Sequence, residues 1–216
     1  MDAQDYIQEL RREYSGRPLD ETKIAGDPIE QFSLWLEDAL QALVPDPHAM
    51  VVATADRNGK PSARVVLLRG FSKDGFAFFT DYRSRKGSEI LENPRVAAVF
   101  FWHELDRQVR VEGTVEKLSA SDSDKYFQSR PRENQIAAWA SGQSGVISTR
   151  AELDERFAEF EKKFANQPVQ RPDNWGGFRI KPESVEFWQG RPSRLHDRIL
   201  YTLNKTGSWE ICRLAP

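Results

Sequence analysis

From Met50 onward the apolar residues stop recurring every three or four positions and begin to alternate, and this change limits the fold more than any other feature. Met50-Val51-Val52-Ala53-Thr54-Ala55 reads as a strand, Asn58-Gly59 as a hairpin turn, and residues 63–69 as the returning strand. A second turn, Asp74-Gly75, precedes a strand over 76–80, so a three-stranded meander is expected. Residues 96–102 form another strand, and Val109, Val111, Gly113 and Val115 alternate with charged or polar residues, as on a half-exposed strand. The C-terminal part adds strands over 177–180, 184–189, 195–203 and 209–214. Closely spaced antiparallel strands with helices at their connections predict a mainly β fold with flanking helices, either a barrel or a strongly curled sheet.

Helices account for the other patterned segments. Residues 2–14 are expected as a short helix with Tyr6, Ile7 and Leu10 on one side, followed by a mobile connection through Ser15-Gly16-Arg17-Pro18. In Asp27-Pro28-Ile29-Glu30 the aspartate is placed to cap, the proline to open and the glutamate to bond back, which starts a second helix. Phe32, Trp35, Leu36, Ala39, Leu40 and Leu43 then mark one buried stripe, ended by Pro45 and Pro47. Residues 84–93 suit a helix stopped by Pro94, and 121–128 another. Thr149-Arg150-Ala151-Glu152 opens a further one, with Leu153, Phe157, Phe160 and Phe164 along its apolar side.

Composition excludes several functions. A formal net charge of −2 gives no bulk attraction to nucleic acid or to an anionic membrane. Cys212 is the only cysteine, so an intrachain disulfide is impossible and a reducing compartment is expected. No apolar run is long enough to span a bilayer, and the acidic N-terminus lacks the basic start of a signal peptide, so a cytoplasmic protein is expected. There is no glycine-rich phosphate loop, no Gly-x-Ser-x-Gly elbow, no Cys-x-x-Cys and no His-Glu-x-x-His. With His48, His103 and His196 scattered, no metal site is expected. A bound phosphate would have to be held by Arg, Lys, Ser and Thr side chains.

Four basic clusters could do so. Arg64 and Arg69 bracket the apolar strand Val65-Val66-Leu67-Leu68, an odd number of positions apart, and so face opposite sides unless a bulge intervenes. Ser84-Arg85-Lys86 opens a helix, where free backbone N–H groups and two cations favour an anion. Ser129-Arg130-Pro131-Arg132 closes another. The fourth cluster lies in Phe187-Trp188-Gln189-Gly190-Arg191-Pro192-Ser193-Arg194-Leu195-His196-Asp197-Arg198. If 194–198 is extended, Arg194, His196 and Arg198 share one face, while Leu195 and Asp197 share the other. Two guanidiniums and an imidazole attract anions and hold a group that titrates near neutrality. Singly, each cluster is an ordinary exposed cation or a strand edge charged against aggregation, and Trp188 and Tyr126 are core residues. Four such clusters in a slightly acidic chain weigh toward an anion site.

These motifs, in this order, resemble the pyridoxine (pyridoxamine) 5'-phosphate oxidase family. The resemblance runs from about Arg11 to Pro216. It takes in Arg11-Arg12-Glu13-Tyr14, the 64–69 strand, Ser84-Arg85-Lys86, Arg107-Gln108-Val109, Tyr126-Phe127 with Ser129-Arg130-Pro131-Arg132, and Gln143-Ser144. Trp175-Gly176-Gly177, Phe187-Trp188-Gln189-Gly190, the distinctive Arg194-Leu195-His196-Asp197-Arg198 and the terminal Arg213-Leu214-Ala215-Pro216 complete it. It implies an FMN-binding split β-barrel working as a homodimer with flavin at the interface, a flexible segment and lid over 1–26, and one domain over 27–216. Arg64, Arg85, Lys86 and Ser144 would hold the FMN phosphate. Val65, Val66, Leu67, Leu68, Phe79, Thr80, Gln108, Gln143, Trp188 and Arg198 would contact the rest of the cofactor. Arg69, at the end of its strand, is counted with both cofactor and substrate.

The substrate phosphate would meet Arg69, Tyr126, Arg130 and Asn134. Arg194 and His196, with Leu195 between them, would hold the pyridine ring and act as the catalytic pair, and Arg11, Arg12, Glu13 and Tyr14 would close over the site. The implied reaction oxidises the C4' alcohol or amine of a phosphorylated B6 vitamer to the aldehyde, hydride passing to flavin N5 and O2 becoming H2O2. The family usually has lysine at the position of Arg69 and often serine at that of Asn134; both replacements still donate hydrogen bonds to phosphate. Reductases built on the same barrel would lack the Arg194/His196 pair and the Arg130 clamp, and a carrier would bind without turnover.

Overall fold

The structure, a computed structural model, describes residues 2–9 and 12–216. In chain order its elements begin with α1 (Ala3–Glu9), α2 (Pro28–Gln41), β1 (Ala49–Ala55), β2 (Pro61–Leu67), β3 (Gly70–Ser72), β4 (Gly75–Asp81) and α3 (Arg85–Glu92). They continue with β5 (Arg95–Trp102), β6 (Arg107–Lys117), α4 (Ala120–Ser129), α5 (Arg132–Ala140) and α6 (Arg150–Lys163). Three strands, β7 (Trp175–Gln189), β8 (Asp197–Leu203) and β9 (Trp209–Arg213), close the chain. Among the described residues the strands are hydrogen-bonded in the order β2-β1-β5-β6-β7-β4-β3, with β8 on β7 and β9 on β8. This is the mainly β architecture with flanking helices that the sequence predicts.

The chain divides into two compact units. One comprises residues 48–98 and 112–183. Within it β1 and β2 pair as the expected hairpin, with Gly59 at φ 78 in its turn. The expected meander does not form, because β4 pairs with β3 and β7 and not with β2. The switch occurs within two residues: Leu68 N donates to His48 O (2.8 Å) and Arg69 N to Ala77 O (2.8 Å). Successive amides of an extended chain point to opposite sides, so neighbouring residues can serve two different strands.

Met50, Val52, Phe76, Phe78, Ile90, Phe178 and Ile180 form this unit's sheet core. A second cluster of Phe127, Ile136, Phe164, Val169 and Trp175 is packed by α4, α5 and α6. α6 carries the expected cap, Thr149, and α3 opens where expected, with Ser84 as its cap. α5 was not expected. Its N-cap is Pro131, which offers no side-chain hydrogen bond, and the helix is held instead by Gln135, whose Nε2 donates to the carbonyls of Phe127, Gln128 and Arg130 (3.1–3.2 Å). The cluster Ser129-Arg130-Pro131-Arg132 therefore joins two helices. The strands expected over 177–180 and 184–189 are one strand, β7. Pro182 is tolerated because it falls between the register with β4, which ends at Ile180, and that with β8, which begins at Ser184.

The other unit comprises residues 1–47, 99–111 and 184–216. Asp27 caps α2, accepting from Ile29 N (2.7 Å), and the helix lays Phe32 on Phe100 (4.9 Å between centroids) and Trp35 on Phe187 (5.1 Å). Leu40 and Leu43 leave the expected stripe and are exposed. Helix α1 is shorter than the predicted 2–14: Arg12-Glu13-Tyr14 is not helical, and Leu10 lies outside the described residues. The following segment makes definite contacts. Leu19 is buried and donates its N–H to Asp197 Oδ2 (3.0 Å), and Gly16 O accepts from Arg191 Nη1 (2.6 Å).

Candidate functional site

A cavity of about 710 Å³ opens within the 48–98/112–183 unit. Its wall includes Arg64, Val65, Val66 and Leu67 from β2, Arg69, Phe79 and Thr80, and Lys86 from the first turn of α3. Tyr126, Arg130, Asn134 and Gln143 complete the predicted members. Arg64 and Arg69 share this wall because regular strand geometry stops at Leu67, so the expected opposition of their faces does not arise. Leu68 is buried and is not part of the wall. Arg85 and Ser144 line a smaller cavity of about 400 Å³ with Arg83 and Gln143.

Lys86 is buried, and its Nζ donates to Thr80 Oγ1 (2.9 Å), Gln143 Oε1 (3.2 Å) and Ser84 Oγ (3.4 Å). Burial, then the Arg64 charge, draws its pKa below the ordinary lysine range, while Asp81 opposes. Arg64 is held by Val52 O (3.1 Å), Thr54 Oγ1 (2.7 Å), Ser62 Oγ and Glu89. A buried ammonium and a held guanidinium beside hydroxyls and an amide suit a phosphate dianion.

The α4–α5 part of the wall holds a second cationic group. Arg130 lies over Trp175, with Cζ 4.5 Å from the ring centroid, and its Nη1 is buried without a hydrogen-bond partner among the described residues. A buried, unpaired guanidinium nitrogen is costly, and an anionic oxygen would satisfy it. Burial and the neighbouring Arg69 charge both draw its pKa down, with Tyr126 opposing. Tyr126 stacks on Phe79 at 3.8 Å, so it combines core packing with a place on the wall.

A third group lies in the other unit. His196 packs edge-on against Tyr14 (5.1 Å) and tilted against Trp188 (4.7 Å). Its Nδ1 accepts from Arg191 N (3.1 Å), which puts the proton of the neutral ring on Nε2. Burial, and then Arg194, lowers its pKa. Residues 194–198 are not extended as expected: Ser193 and Arg194 have φ 57 and 59, and β8 begins only at Asp197. Arg194 and Leu195 are exposed, and so is Glu13. Arg198 is gripped by Glu186 through Nε–Oε1 (2.8 Å) and Nη2–Oε2 (3.0 Å). Arg12 pairs with the buried Asp106, Gln108 lies half-buried on β6, and Arg11 falls outside the described residues.

Residues 36–189 match the family model described as pyridoxamine 5'-phosphate oxidase, and residues 175–216 match that of the pyridoxine 5'-phosphate oxidase C-terminal dimerisation region. The chain belongs to the pyridoxamine 5'-phosphate oxidase family.

Family relatives are similar over almost the whole chain. Pyridoxine/pyridoxamine 5'-phosphate oxidases of Trichormus variabilis and Cupriavidus metallidurans are each 52% identical over 210 residues, covering 97% of this chain and 98% and 99% of theirs. Among solved structures, PhzG from Burkholderia lata, in complex with tetrahydrophenazine-1-carboxylic acid, superposes with a TM-score of 0.89 at 28% identity, over 95% of this chain and 100% of that one. A pyridoxamine 5'-phosphate oxidase-related, FMN-binding protein from Nostoc punctiforme has the same fold (TM-score 0.70, 19% identity, 89% and 100% covered).

All the cavity residues named above fall within the oxidase-family match, and Arg194, His196 and Arg198 fall within the dimerisation region, which supports a homodimer. Sequence reading missed the carboxylates that pair with the predicted cations: Glu89 with Arg64 and Arg85, Asp106 with Arg12, Glu186 with Arg198. Glu89 stands four positions after Arg85 on α3, a spacing that could have revealed that pair. Among the described residues no group of three His, Cys, Asp or Glu side chains could hold a metal ion, and no helix is long and apolar enough to cross a membrane.

Proposed function

We propose that the protein is an FMN-dependent oxidase that converts pyridoxine 5'-phosphate or pyridoxamine 5'-phosphate to pyridoxal 5'-phosphate, reducing O2 to H2O2, in the cytoplasm. The observation that carries this reading is the unpaired buried Nη1 of Arg130 in a cavity that also holds the separate cationic set around Lys86. Two anchored cationic groups on one wall match two phosphates, one on a cofactor and one on a substrate.

In this reading Arg64, Lys86 and, from the smaller cavity, Arg85 and Ser144 hold the FMN phosphate. Val65, Val66, Leu67, Phe79, Thr80, Gln108, Gln143, Trp188 and Arg198 contact the rest of the cofactor; Leu68, buried behind that wall, does not. When bound, FMN would supply the redox chemistry, accepting hydride and passing electrons to O2. Arg130, Tyr126, Asn134 and Arg69 bind the substrate phosphate, which fixes the distance of the pyridine ring from its anchor. Arg194 covers the ring. His196, neutral with its proton on Nε2, donates a hydrogen bond near the reacting end. The 1–26 segment serves as the lid, with Tyr14 already packed against His196 and Trp188. Because the catalytic pair lies in the family's dimerisation region, a homodimer would complete the site.

The test is peroxide release from the purified, FMN-loaded protein given pyridoxine 5'-phosphate in air. Stoichiometric aldehyde and peroxide are expected. A reductase would give no peroxide coupled to this substrate, and a carrier would bind it without turnover.

A further inference from the structure

Glu89 is a buried carboxylate set among the very cations assigned to a phosphate. Its Oε1 accepts from Arg85 Nε (2.8 Å), and its Oε2 accepts from Ser62 Oγ (2.5 Å), from Thr54 Oγ1 and, at 3.4 Å, from Arg64 Nη2. Thr54 and Ser62 face each other in the β1–β2 register, so the hairpin presents both hydroxyls to one oxygen. Arg64 bonds to the same two hydroxyls. One side chain thereby ties α3 to the hairpin and fixes two guanidiniums. Charge alone would select against it, because a carboxylate repels the anion its neighbours are meant to attract.

We infer that Glu89 is a positioning residue for the cofactor phosphate: it holds Arg64 and Arg85 in the orientation that receives the anion, and this gain outweighs its own repulsion. The inference rests on the reading that Arg64, Arg85 and Lys86 bind the FMN phosphate. Arginine side chains lose considerable rotamer freedom when fixed, and a ligand that finds them already fixed does not bear that loss. Electrostatics and preorganisation therefore predict opposite signs for the same substitution.

The experiment titrates FMN and riboflavin, which lacks the phosphate, into the full-length chain and follows quenching of flavin fluorescence. Wild type, Glu89→Gln and Glu89→Met are compared, with melting temperatures recorded for each. Wild type should prefer FMN. Glu89→Met, which offers no acceptor, should lose about tenfold or more in FMN affinity with riboflavin unchanged, and Glu89→Gln, which still accepts hydrogen bonds, should fall between. A folded Glu89→Met that binds FMN as tightly as wild type or more tightly would overturn the inference. Equal weakening toward both flavins would overturn it too, by making the role purely structural. If Glu89→Met does not fold, Glu89→Gln decides: undiminished FMN affinity there rejects positioning. Failure of the underlying cradle shows separately, as a wild type that does not distinguish FMN from riboflavin, and the inference falls with it.

Discussion

Replacing Arg130 with leucine should separate binding from stability in a way the structure allows to be estimated. The guanidinium now leaves Nη1 buried and unpaired, a cost of about 1–3 kcal/mol. Its place 4.5 Å over Trp175 returns about 0.5–2 kcal/mol of cation–π attraction. The two nearly cancel, and leucine keeps an apolar contact with the ring, so stability should change by no more than about 1 kcal/mol. For a chain of 216 residues that is roughly 2–4 °C in Tm. Binding should respond differently. A charge-assisted bond to a phosphate is worth about 1.5–3 kcal/mol, which predicts roughly a 10- to 150-fold rise in KM for pyridoxine 5'-phosphate where KM tracks affinity. Pyridoxine, without a phosphate, should be turned over equally by both proteins. The assay is a thermal melt together with peroxide-coupled initial rates on both substrates. A fall in Tm of more than about 10 °C, or equal losses on the two substrates, would refute the reasoning, since Arg130 would then be holding the fold.

Other outcomes are expected from the same geometry. Arg69→Ala should raise KM for the phosphorylated substrate by roughly 10- to 150-fold and spare pyridoxine, while Arg69→Lys should be mild; equal loss on both substrates would remove Arg69 from the site. Arg194→Ala and His196→Ala should keep FMN and lose on the order of 100-fold or more in kcat/KM, and wild-type turnover in both would reject their assignment. Because the His196 pKa is depressed, the neutral ring, whose Nδ1 accepts from Arg191 N and so fixes its orientation, prevails above the ordinary value of 6.5. That acceptor is lost as pH falls through the lowered pKa, so kcat/KM should show an acid limb below 6.5 that His196→Asn abolishes. Burial alone would raise the Glu89 carboxyl, but hydrogen bonds from Ser62, Thr54 and Arg85 hold it at about 2; its contribution to stability is then complete above the ordinary value of 4.5 and lost toward pH 2. Urea unfolding of Glu89→Gln should accordingly differ from wild type at pH 7 and converge with it near pH 2, and a constant difference would contradict the assignment. A dimer whose dilution releases flavin is expected, and a monomer in light scattering that remains yellow would count against the shared site.

Features governed by a few adjacent residues were legible without coordinates. Asp27 and Thr149 accept from the first free N–H groups of α2 and α6, and Asn58-Gly59 supplies the positive φ of a hairpin; such chemistry acts over two to four positions and carries its own signal. The basic clusters were legible for the same reason, and so was the family likeness they carry. Strand partners were not. Whether residues 76–80 join β2 or β7 turns on the switch at Leu68–Arg69, where one amide serves His48 and the next serves Ala77. That switch also brings Arg69 onto the wall shared with Arg64, against the parity of a regular strand. Helix α5 has no capping side chain to announce it, and its support comes from carbonyls at the end of α4. The turn at Ser193–Arg194 overrides the alternation that would have aligned Arg194, His196 and Arg198. Sequence alone determined which cations and hydroxyls the protein possesses and which short segments cap or turn. Only the tertiary structure decided which charges are held by carboxylates and which nitrogen is left unpaired, because a buried charge takes its partner from whatever the fold packs beside it, at any distance along the chain.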